Sequence, residues 1–194
     1  GIVRDEYNQV SRNWALFTHN VWNMTDRLAL TVGLRYTNEK KTLDVALDSD
    51  NTLCAAIAGS PAFAALATLP CVINSVDFTG SSVRNEDELT GTVVLSYKPS
   101  DALLTYASFS RGYKAGGFNL DRSPLVPGAV DLDQLQFEPE LVDSYEIGAK
   151  WNVRNVQLSV AGFWSQFDQF QLNTFNGVNF IVENIQSCRE DLDG

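Results

Sequence analysis

The sequence lacks an apolar run long enough to form a membrane-spanning helix. Such a helix needs about 20 consecutive apolar residues, whereas the longest uncharged stretches of this 194-residue chain are rich in alanine, glycine and serine. An excess of basic charge is also absent, because 14 Lys and Arg residues stand against 24 Asp and Glu residues, for a net charge of −10. Binding to a nucleic-acid backbone requires clustered Lys and Arg. We therefore expect no nucleic-acid partner, and any entry into a membrane must use β-strands.

Cysteine and histidine are scarce. The chain has three cysteines, so at least one has no partner within the sequence. We favour a disulfide between Cys54 and Cys71 in an exported protein over free thiols, with Cys188 pairing to a residue beyond Gly194. The cysteine spacings fit no zinc motif, and His19 has no cysteine near it in the sequence. We predict no metal site and no cofactor.

The residues needed for catalysis are equally few. With one histidine and no Gly-x-Ser-x-Gly motif, a hydrolase triad has little to build on. The acidic residues Glu86, Asp87 and Glu88 are predicted to lie in a loop, where such runs are usually solvated; the same is predicted for Glu138 and Glu140. The sequence therefore does not indicate an enzyme, and an outer-membrane hydrolase that depends on His19 is the enzymatic alternative.

What the sequence does contain is a strict two-residue alternation. In residues 27–37, the apolar side chains of Leu28, Leu30, Val32, Leu34 and Tyr36 alternate with small, polar or charged ones. The pattern recurs in residues 89–98, 141–151 and 156–166, with Asp143 as the one misfit. Successive side chains of a strand point to opposite faces, so each segment predicts a strand with one apolar and one wet face. Segments 13–22 and 102–114 are assigned to strands from their length and flanking turns.

The connections between these segments also alternate. Tight turns are predicted at 23–26, 99–101 and 152–155, whereas long connections run over roughly 39–88 and 116–140. Short turns on one side and long loops on the other are typical of outer-membrane barrels, with the short turns in the periplasm. Asn176-Gly177 predicts one further hairpin. The predicted fold is all-β, an antiparallel up-and-down transmembrane β-barrel represented by about six strands, with residues 1–194 in one domain.

Three stretches, in this order, resemble TonB-dependent outer-membrane receptors. They are residues 33–41 (GLRYTNEKK), residues 106–119 (YASFSRGYKAGGFN), and residues 137–140 (FEPE) leading to residues 144–150 (SYEIGAK). The order of these motifs, with a turn or a loop between them as in the family, makes the resemblance specific. It extends from about residue 13 to residue 186.

The resemblance implies a barrel of roughly 22 strands that is closed by a plug domain. This chain would be about a third of such a receptor, a middle-to-late section without the plug, the TonB-contacting segment or the terminal strand. Such receptors lie in outer-membrane lipid and actively import a scarce small-molecule nutrient, namely a ferric siderophore, cobalamin or an oligosaccharide. The TonB complex drives import through the plug. A passive porin and a soluble all-β binding module are the alternatives.

Two sets of residues are candidates for the binding site. The first set is predicted to face the lumen, where it would line the ligand path, hold the plug, or only pair across strands in water: Arg35, Glu146 and Lys150. The second set surrounds Gly116-Gly117, where the fourth strand rises into an external loop: Arg111, Tyr113, Lys114, Phe118 and Asn119. Cationic and aromatic side chains suit an anionic or aromatic ligand such as a ferric siderophore. The favoured alternative is a scaffold role, in which the glycines permit a bend or bulge.

Overall fold

The computed structural model describes residues 2–50, 52, 56–57, 60–62, 77–126, 129–175, 177 and 179–185. A 3-10 helix spans Leu132–Leu135. The strands of the described part are β1 (Ile2–Asn23), β2 (Leu28–Asp50), β3 (Phe78–Ser100), β4 (Leu103–Lys114), β5 (Gly117–Phe118), β6 (Gln136–Phe137), β7 (Glu140–Val153), β8 (Val156–Asp168), β9 (Phe170–Phe175) and β10 (Phe180–Ile185). None of the helical residues described belongs to a helix long and apolar enough to cross a bilayer.

Six strands form one antiparallel sheet in the order β1-β2-β3-β4-β7-β8, while β5 pairs with β6 and β9 pairs with β10. The turns at 24–27, 101–102 and 154–155 join neighbouring strands of the sheet, so all three lie on the same side of it. In the first turn the Thr25 hydroxyl accepts a hydrogen bond from the backbone N–H of Leu28 (3.0 Å). In the third, Arg154 adopts a left-handed φ of 52°. The predicted turns and the six up-and-down strands are confirmed.

The two faces of the sheet differ in chemistry, as the alternation predicts. One cross-strand row consists of Trp22, Leu30, Leu95, Ala107, Ile147 and Gly162. We call the face that carries this row the apolar face and the opposite one the polar face. Ile147 is 68% exposed and Leu89, also on the apolar face, is 58% exposed. No described residue of this chain therefore covers the apolar face.

Aromatic side chains mark both ends of the apolar face. Those near the tight turns are Trp22, Tyr97 and Trp151. At the other end, the Trp14 and Tyr36 ring centroids lie 5.4 Å apart, and the Tyr145 ring is tilted against Phe109 at 5.1 Å and stacked with Trp164 at 6.0 Å. The band between them takes nine residues on each of the first three strands, namely 14–22, 28–36 and 89–97. A tilted strand needs about 9–11 residues to cross the hydrocarbon core of a bilayer.

Strands β2 and β3 are longer than the sequence analysis predicts. The long connection predicted at 39–88 is wrong at both ends, because β2 continues to Asp50 and β3 begins at Phe78. The pairing of β2 with both neighbours is continuous, yet its apolar residues change parity. They are even-numbered up to Tyr36 and odd-numbered from Leu43 onward. The odd-numbered residues are buried, with Leu43, Val45 and Leu47 at 0–4% exposure.

The parity changes because a different face is covered beyond the apolar band. Between β4 and β7, residues 115–126 and 129–139 fold over the polar face there; we call these residues the cap. Its Phe118, Leu125, Leu132 and Leu135 pack with the odd-numbered leucines and valine of β2 in one buried cluster. The buried guanidinium of Arg122 pairs with Asp5 and so ties the cap to β1. The second long connection of the prediction is thus largely a packed element.

The predicted hairpin around Asn176-Gly177 is confirmed. Strands β9 and β10 pair in antiparallel register from Phe175–Phe180 to Phe170–Ile185, and Gly177 adopts a φ of 97°. Side-chain amides join this hairpin to the cap. Asn119 accepts a hydrogen bond from the Val182 N–H (2.7 Å) and donates one to the Val182 carbonyl (3.0 Å).

The predicted Cys54–Cys71 disulfide and the proposed external partner of Cys188 involve residues outside the described part of the chain.

Candidate functional site

Glu146 and Lys150 belong to one small cluster on the polar face, within the apolar band. The Tyr106 hydroxyl donates a hydrogen bond to Glu146, and the Lys150 ammonium lies 5.8 Å from the centroid of the Tyr106 ring. Gly148, between the two charged residues on β7, is directly opposite Tyr106. A Cβ at Gly148 would lie 2.6 Å from the ring, so the glycine allows the ring to cross its strand. The cluster presents both signs of charge on this face.

Arg35, Arg111 and Tyr113 line one pocket of about 440 Å³. It lies where the β3–β4 pairing ends, at Gly91–Arg111, while the β4–β7 pairing continues to Lys114. The Arg35 Nε donates to the Thr37 hydroxyl at 3.1 Å. The Tyr113 hydroxyl donates to Glu39 at 3.2 Å. Burial, reinforced by the nearby Glu39 carboxylate, raises the pKa of Tyr113 to about 12, so this hydroxyl stays protonated at neutral pH.

The guanidinium of Arg111 is engaged in an ion pair. It binds Asp143 through two bonds, Nε to Oδ1 at 2.6 Å and Nη2 to Oδ2 at 2.5 Å. These hydrogen bonds hold the pKa of Asp143 below its usual value. The two residues are cross-strand partners on the apolar face, one row beyond Phe109 and Tyr145. This ion pair explains why Asp143 can interrupt the alternation. Arg111 neutralises the charge of Asp143 at the place where the apolar band ends.

Beneath the cap lie four charged side chains, two of which bind the backbone of Gly116. Glu39 and Lys41 lie on β2, and Arg84 and Glu86 lie on β3. The register places Glu39 opposite Glu86 and Lys41 opposite Arg84, so like charges face each other across the strands, an arrangement that is normally destabilising. The ion pairs instead run along each strand, Lys41 to Glu39 at 3.1 Å and Arg84 to Glu86.

The cap provides further bonds to Lys41, Arg84 and Glu86, while Glu39 is bound by Ser11 and Tyr113. We call the four side chains the Gly116 clamp. The Gly116 N–H donates to Glu86 at 3.2 Å, and its carbonyl accepts from the Lys41 ammonium. Arg84 also binds Glu138 at 2.6 Å and Gln136 at 3.0 Å. Burial raises the pKa of Glu39, but hydrogen bonds from Ser11 and Lys41 outweigh it and leave that pKa below its ordinary value. The clamp therefore holds the cap by charge-assisted bonds, which are stronger than neutral ones.

The clamp corrects one prediction. Glu86, Asp87 and Glu88 do not lie in a solvated loop but within β3, and Glu86 is 7% exposed. Asp87 points to the other face, where it accepts hydrogen bonds from Tyr36 (2.9 Å) and Asn38 (2.6 Å). The sequence did contain a signal for the clamp: Glu39-x-Lys41 and Arg84-x-Glu86 each carry opposite charges two residues apart, and two such pairs on adjacent strands share one face.

The other predicted residues around Gly116 lie outside the pocket that Arg35, Arg111 and Tyr113 line. Lys114 is exposed and lines a second pocket, of about 320 Å³, together with Phe118 and Gln171. Phe118 is buried in the cap cluster, and Asn119 holds the β9–β10 hairpin. The structure thus brings together Arg35, Arg111 and Tyr113 around one pocket, and separates them from Lys114, Phe118, Asn119 and the Glu146–Lys150 cluster.

We expect Gly116→Ala to loosen the cap. A Cβ at this position would lie 2.5 Å from a Glu86 carboxylate oxygen and 2.5 Å from the Phe137 carbonyl oxygen, and the clamp must open to admit it. Overpacking of this kind costs about 1–3 kcal/mol. Hydrogen exchange of cap amides in the full-length protein measures the change. Gly162→Ala is the matched control, because no atom lies within 4 Å of its added Cβ. Equal exchange in both variants would contradict the prediction.

Comparison with known proteins identifies the family. Residues 3–188 match the family described as TonB dependent receptor-like, beta-barrel. The pesticin receptors of Yersinia enterocolitica and Yersinia pestis are each 25% identical to the chain over 158 residues, which are 81% of this chain and 19% of each receptor. The chain thus spans about a fifth of the length of these relatives, less than the third expected from the sequence.

Solved structures share the fold. The ferric yersiniabactin uptake receptor of Yersinia pestis aligns with a TM-score of 0.65 and 20% identity, over 88% of this chain and 22% of that receptor. The ferric-catecholate import receptor of E. coli aligns with a TM-score of 0.59 and 16% identity, over 91% of this chain and 24% of that receptor. Because the family match covers nearly the whole sequence, the chain belongs to the TonB-dependent receptor-like β-barrels, proteins of the Gram-negative outer membrane.

Proposed function

We propose that the full-length protein actively imports a ferric siderophore across the outer membrane, with energy supplied by the TonB complex through a plug domain. The relatives support this substrate class, since the solved structures include receptors for ferric yersiniabactin and for ferric catecholates. In this arrangement the apolar face contacts lipid and the polar face lines the lumen. The cap then lies above the membrane, on the side where ligands arrive.

One observation carries the proposal against a passive porin. Two aromatic side chains on the polar face are largely exposed, Phe17 on β1 at 72% and Phe163 on β8 at 76%. Phe17 is opposite Arg35 and Phe163 is opposite Glu146, so both belong to the polar face by register. Porin lumens are polar and filled with water, which leaves such rings without a favourable contact. A protein domain that fills the lumen would bury them, and a filled lumen requires energy-driven opening for transport.

The site also favours an anionic aromatic ligand over the other nutrients. Arg35 lies beside Phe17 on the lumen face, and no described carboxylate forms an ion pair with it. A guanidinium without an ionic partner among the described residues, next to an aromatic ring, suits a ferric complex of an anionic, ring-bearing chelator. Cobalamin and neutral oligosaccharides offer no negative charge that would use it equally well.

Transport measurements test the proposal. The full-length receptor is expressed in a Gram-negative strain that lacks its own siderophore receptors, with and without a functional TonB gene, and uptake of radioactive iron bound to a catecholate or phenolate chelator is recorded. We expect uptake only in the TonB-positive strain. Uptake that is independent of TonB would indicate a porin, and TonB-dependent uptake of cobalamin or oligosaccharide alone would overturn the substrate class.

A variant of Arg35 tests the site itself. We expect Arg35→Gln to weaken chelate binding about tenfold, which corresponds to about 1.4 kcal/mol, because the anionic complex loses its unpaired cation. Lys98→Gln is the matched control. Lys98 is exposed, and it lies near a tight turn, far along β3 from Thr90, the residue that pairs with Arg35. Unchanged binding by Arg35→Gln would remove this residue from the site while leaving the transport proposal to the uptake measurement.

A further inference from the structure

Two basic residues face each other on the apolar face of the sheet, just beyond the aromatic residues Trp14 and Tyr36 that end the apolar band. Arg12 on β1 and Lys40 on β2 are direct cross-strand partners, and both are exposed. Like charges placed directly opposite each other destabilise a sheet. In the part of the chain that the structure describes, neither residue forms an ion pair with a carboxylate. Among the described residues, no ion pair therefore neutralises their positive charge.

Two other charged residues on this face, Arg111 and Asp87, have partners within the chain. Arg111 is bound by Asp143 through two hydrogen bonds. Asp87 accepts hydrogen bonds from Tyr36 and Asn38, both through Oδ1. The Arg12–Lys40 pair differs from these two residues, because no ion pair joins either of its members to a described carboxylate.

The pair lies just outside the apolar band, on the side away from the tight turns. Trp14 and Asn38 form the preceding row on the same face, so Arg12 and Lys40 lie two residues farther along the strands, or about 7 Å at ~3.4 Å per residue. Aromatic girdles lie at the membrane–water interface. Side chains one row beyond the girdle reach the level of the lipid headgroups.

The surface around the pair has a suitable shape and chemistry. Arg12 and Lys40 line a shallow cleft of about 240 Å³ together with Val10 and Thr42. A guanidinium can donate two parallel hydrogen bonds to a phosphate, and an ammonium adds a second, adaptable charge. Val10 offers an apolar contact beside them, and the Thr42 hydroxyl offers another polar one.

We propose that Arg12 and Lys40 form a binding site for the phosphate of an anionic lipid headgroup in the outer leaflet. The bound phosphate would neutralise the two facing cations and would hold β1 and β2 at a defined depth in the membrane. The site lies on the opposite face of the sheet from Arg35, the residue proposed to bind the transported ligand. It depends on the location of the barrel in the outer membrane and not on the transported substrate.

Lipid retention by the full-length receptor tests this site. The detergent-purified protein is incubated with lipid A, which carries two phosphates, or with phosphatidylcholine, and the retained lipids are counted by native mass spectrometry. We expect the wild type to retain lipid A selectively. The amount of lipid A retained should fall on the order of tenfold in R12Q/K40Q, because each basic residue near an anionic membrane surface adds its own electrostatic attraction. Arg4→Gln is the matched control, because Arg4 lies on the same face but eight residues farther from the girdle.

Several outcomes would overturn the proposal. Equal retention of lipid A by the wild type and R12Q/K40Q would do so, as would an equal loss in Arg4→Gln. Calorimetric binding of inorganic phosphate as tight as that of lipid A would assign the site to free phosphate. Folding of each variant is checked by its heat-modifiable migration on a gel. If the double variant does not fold, Lys40→Gln must lower retention and Lys40→Arg must preserve it, or the proposal fails.

Discussion

Replacing Arg84 with methionine is expected to destabilise the cap by about 3–5 kcal/mol, the range for removing one partner of a buried ion pair. The Arg84 side chain is 10% exposed and that of Glu86 is 6% exposed, so water cannot replace the lost guanidinium. The same substitution removes the bonds to Glu138 and Gln136 on the cap. Glu86 would keep only its bond from the Gly116 N–H, with its charge unmatched.

Hydrogen exchange of peptides covering residues 115–126 and 129–139 of the full-length receptor measures this effect. We expect faster exchange there and unchanged exchange in the apolar band, because cap opening is local. The double variant R84M/E86Q should recover part of the stability, since it no longer buries an unpaired carboxylate. Lys98→Met removes an exposed cation from the same strand and serves as the control. Exchange of the cap in Arg84→Met that matches this control would refute the role assigned to the clamp.

The clamp also predicts a pH dependence with a definite sign. The hydrogen bond from Arg84 holds the pKa of Glu138 below its ordinary value. A carboxyl with a lowered folded-state pKa stabilises the cap above its unfolded pKa, about 4.3 for Glu, and the stabilisation is lost as the pH falls through the lower folded-state pKa. Cap protection should therefore decrease below about pH 4, and less so in Arg84→Met. The contribution is small, because the Glu138 side chain is 59% exposed and exposed pairs are screened by solvent.

Leu43→Ala is expected to cost about 2–5 kcal/mol, the usual range for truncating a fully buried leucine. Leu43 is 0% exposed and packs in the cluster that joins β2 to the cap. Val83→Ala is the matched control, because Val83 lies on the neighbouring strand beside Thr42, at the same height but on the opposite face, and is 47% exposed. A change at such a surface position alters stability by about 0.5 kcal/mol or less.

Chemical unfolding of the full-length receptor, followed by hydrogen exchange of the cap, separates the two variants. The comparison tests which face is covered beyond the apolar band. If Val83→Ala destabilised the protein as much as Leu43→Ala, the buried face would have been assigned to the wrong parity. A loss confined to cap peptides would instead establish the cap as a local cooperative unit, because only the contacts with that segment are removed.

The strands and tight turns could be predicted because their signals are local. A strand places alternate side chains on opposite faces, so residues 27–37 reveal two environments without knowledge of any neighbour. Turn residues such as Thr25 and Asp26 act over three or four positions. The same reasoning failed at residues 39–50. The apolar residues of β2 change there from even to odd positions, so the strand as a whole shows no single alternation.

The candidate site could be predicted only in part. Parity alone placed Arg35, Glu146 and Lys150 on the polar face, as the register shows. It could not reveal that Arg111 meets Asp143, 32 residues away, or that Phe118 packs in the buried cluster of the cap. Those outcomes depend on strand register and on the path of the cap, which are set by contacts between distant segments.

The sequence by itself determined that this chain forms antiparallel strands with one apolar and one polar face, because side-chain alternation is a property of each strand alone. Only the tertiary structure decided where the covered face changes from one parity to the other. That change arises when Phe118, Leu125, Leu132 and Leu135 fold onto β2, and it converts residues that resembled a loop into a buried surface. The Gly116 clamp has the same origin, since the Gly116 backbone can join Lys41 on β2 to Glu86 on β3 only once the cap lies over the polar face.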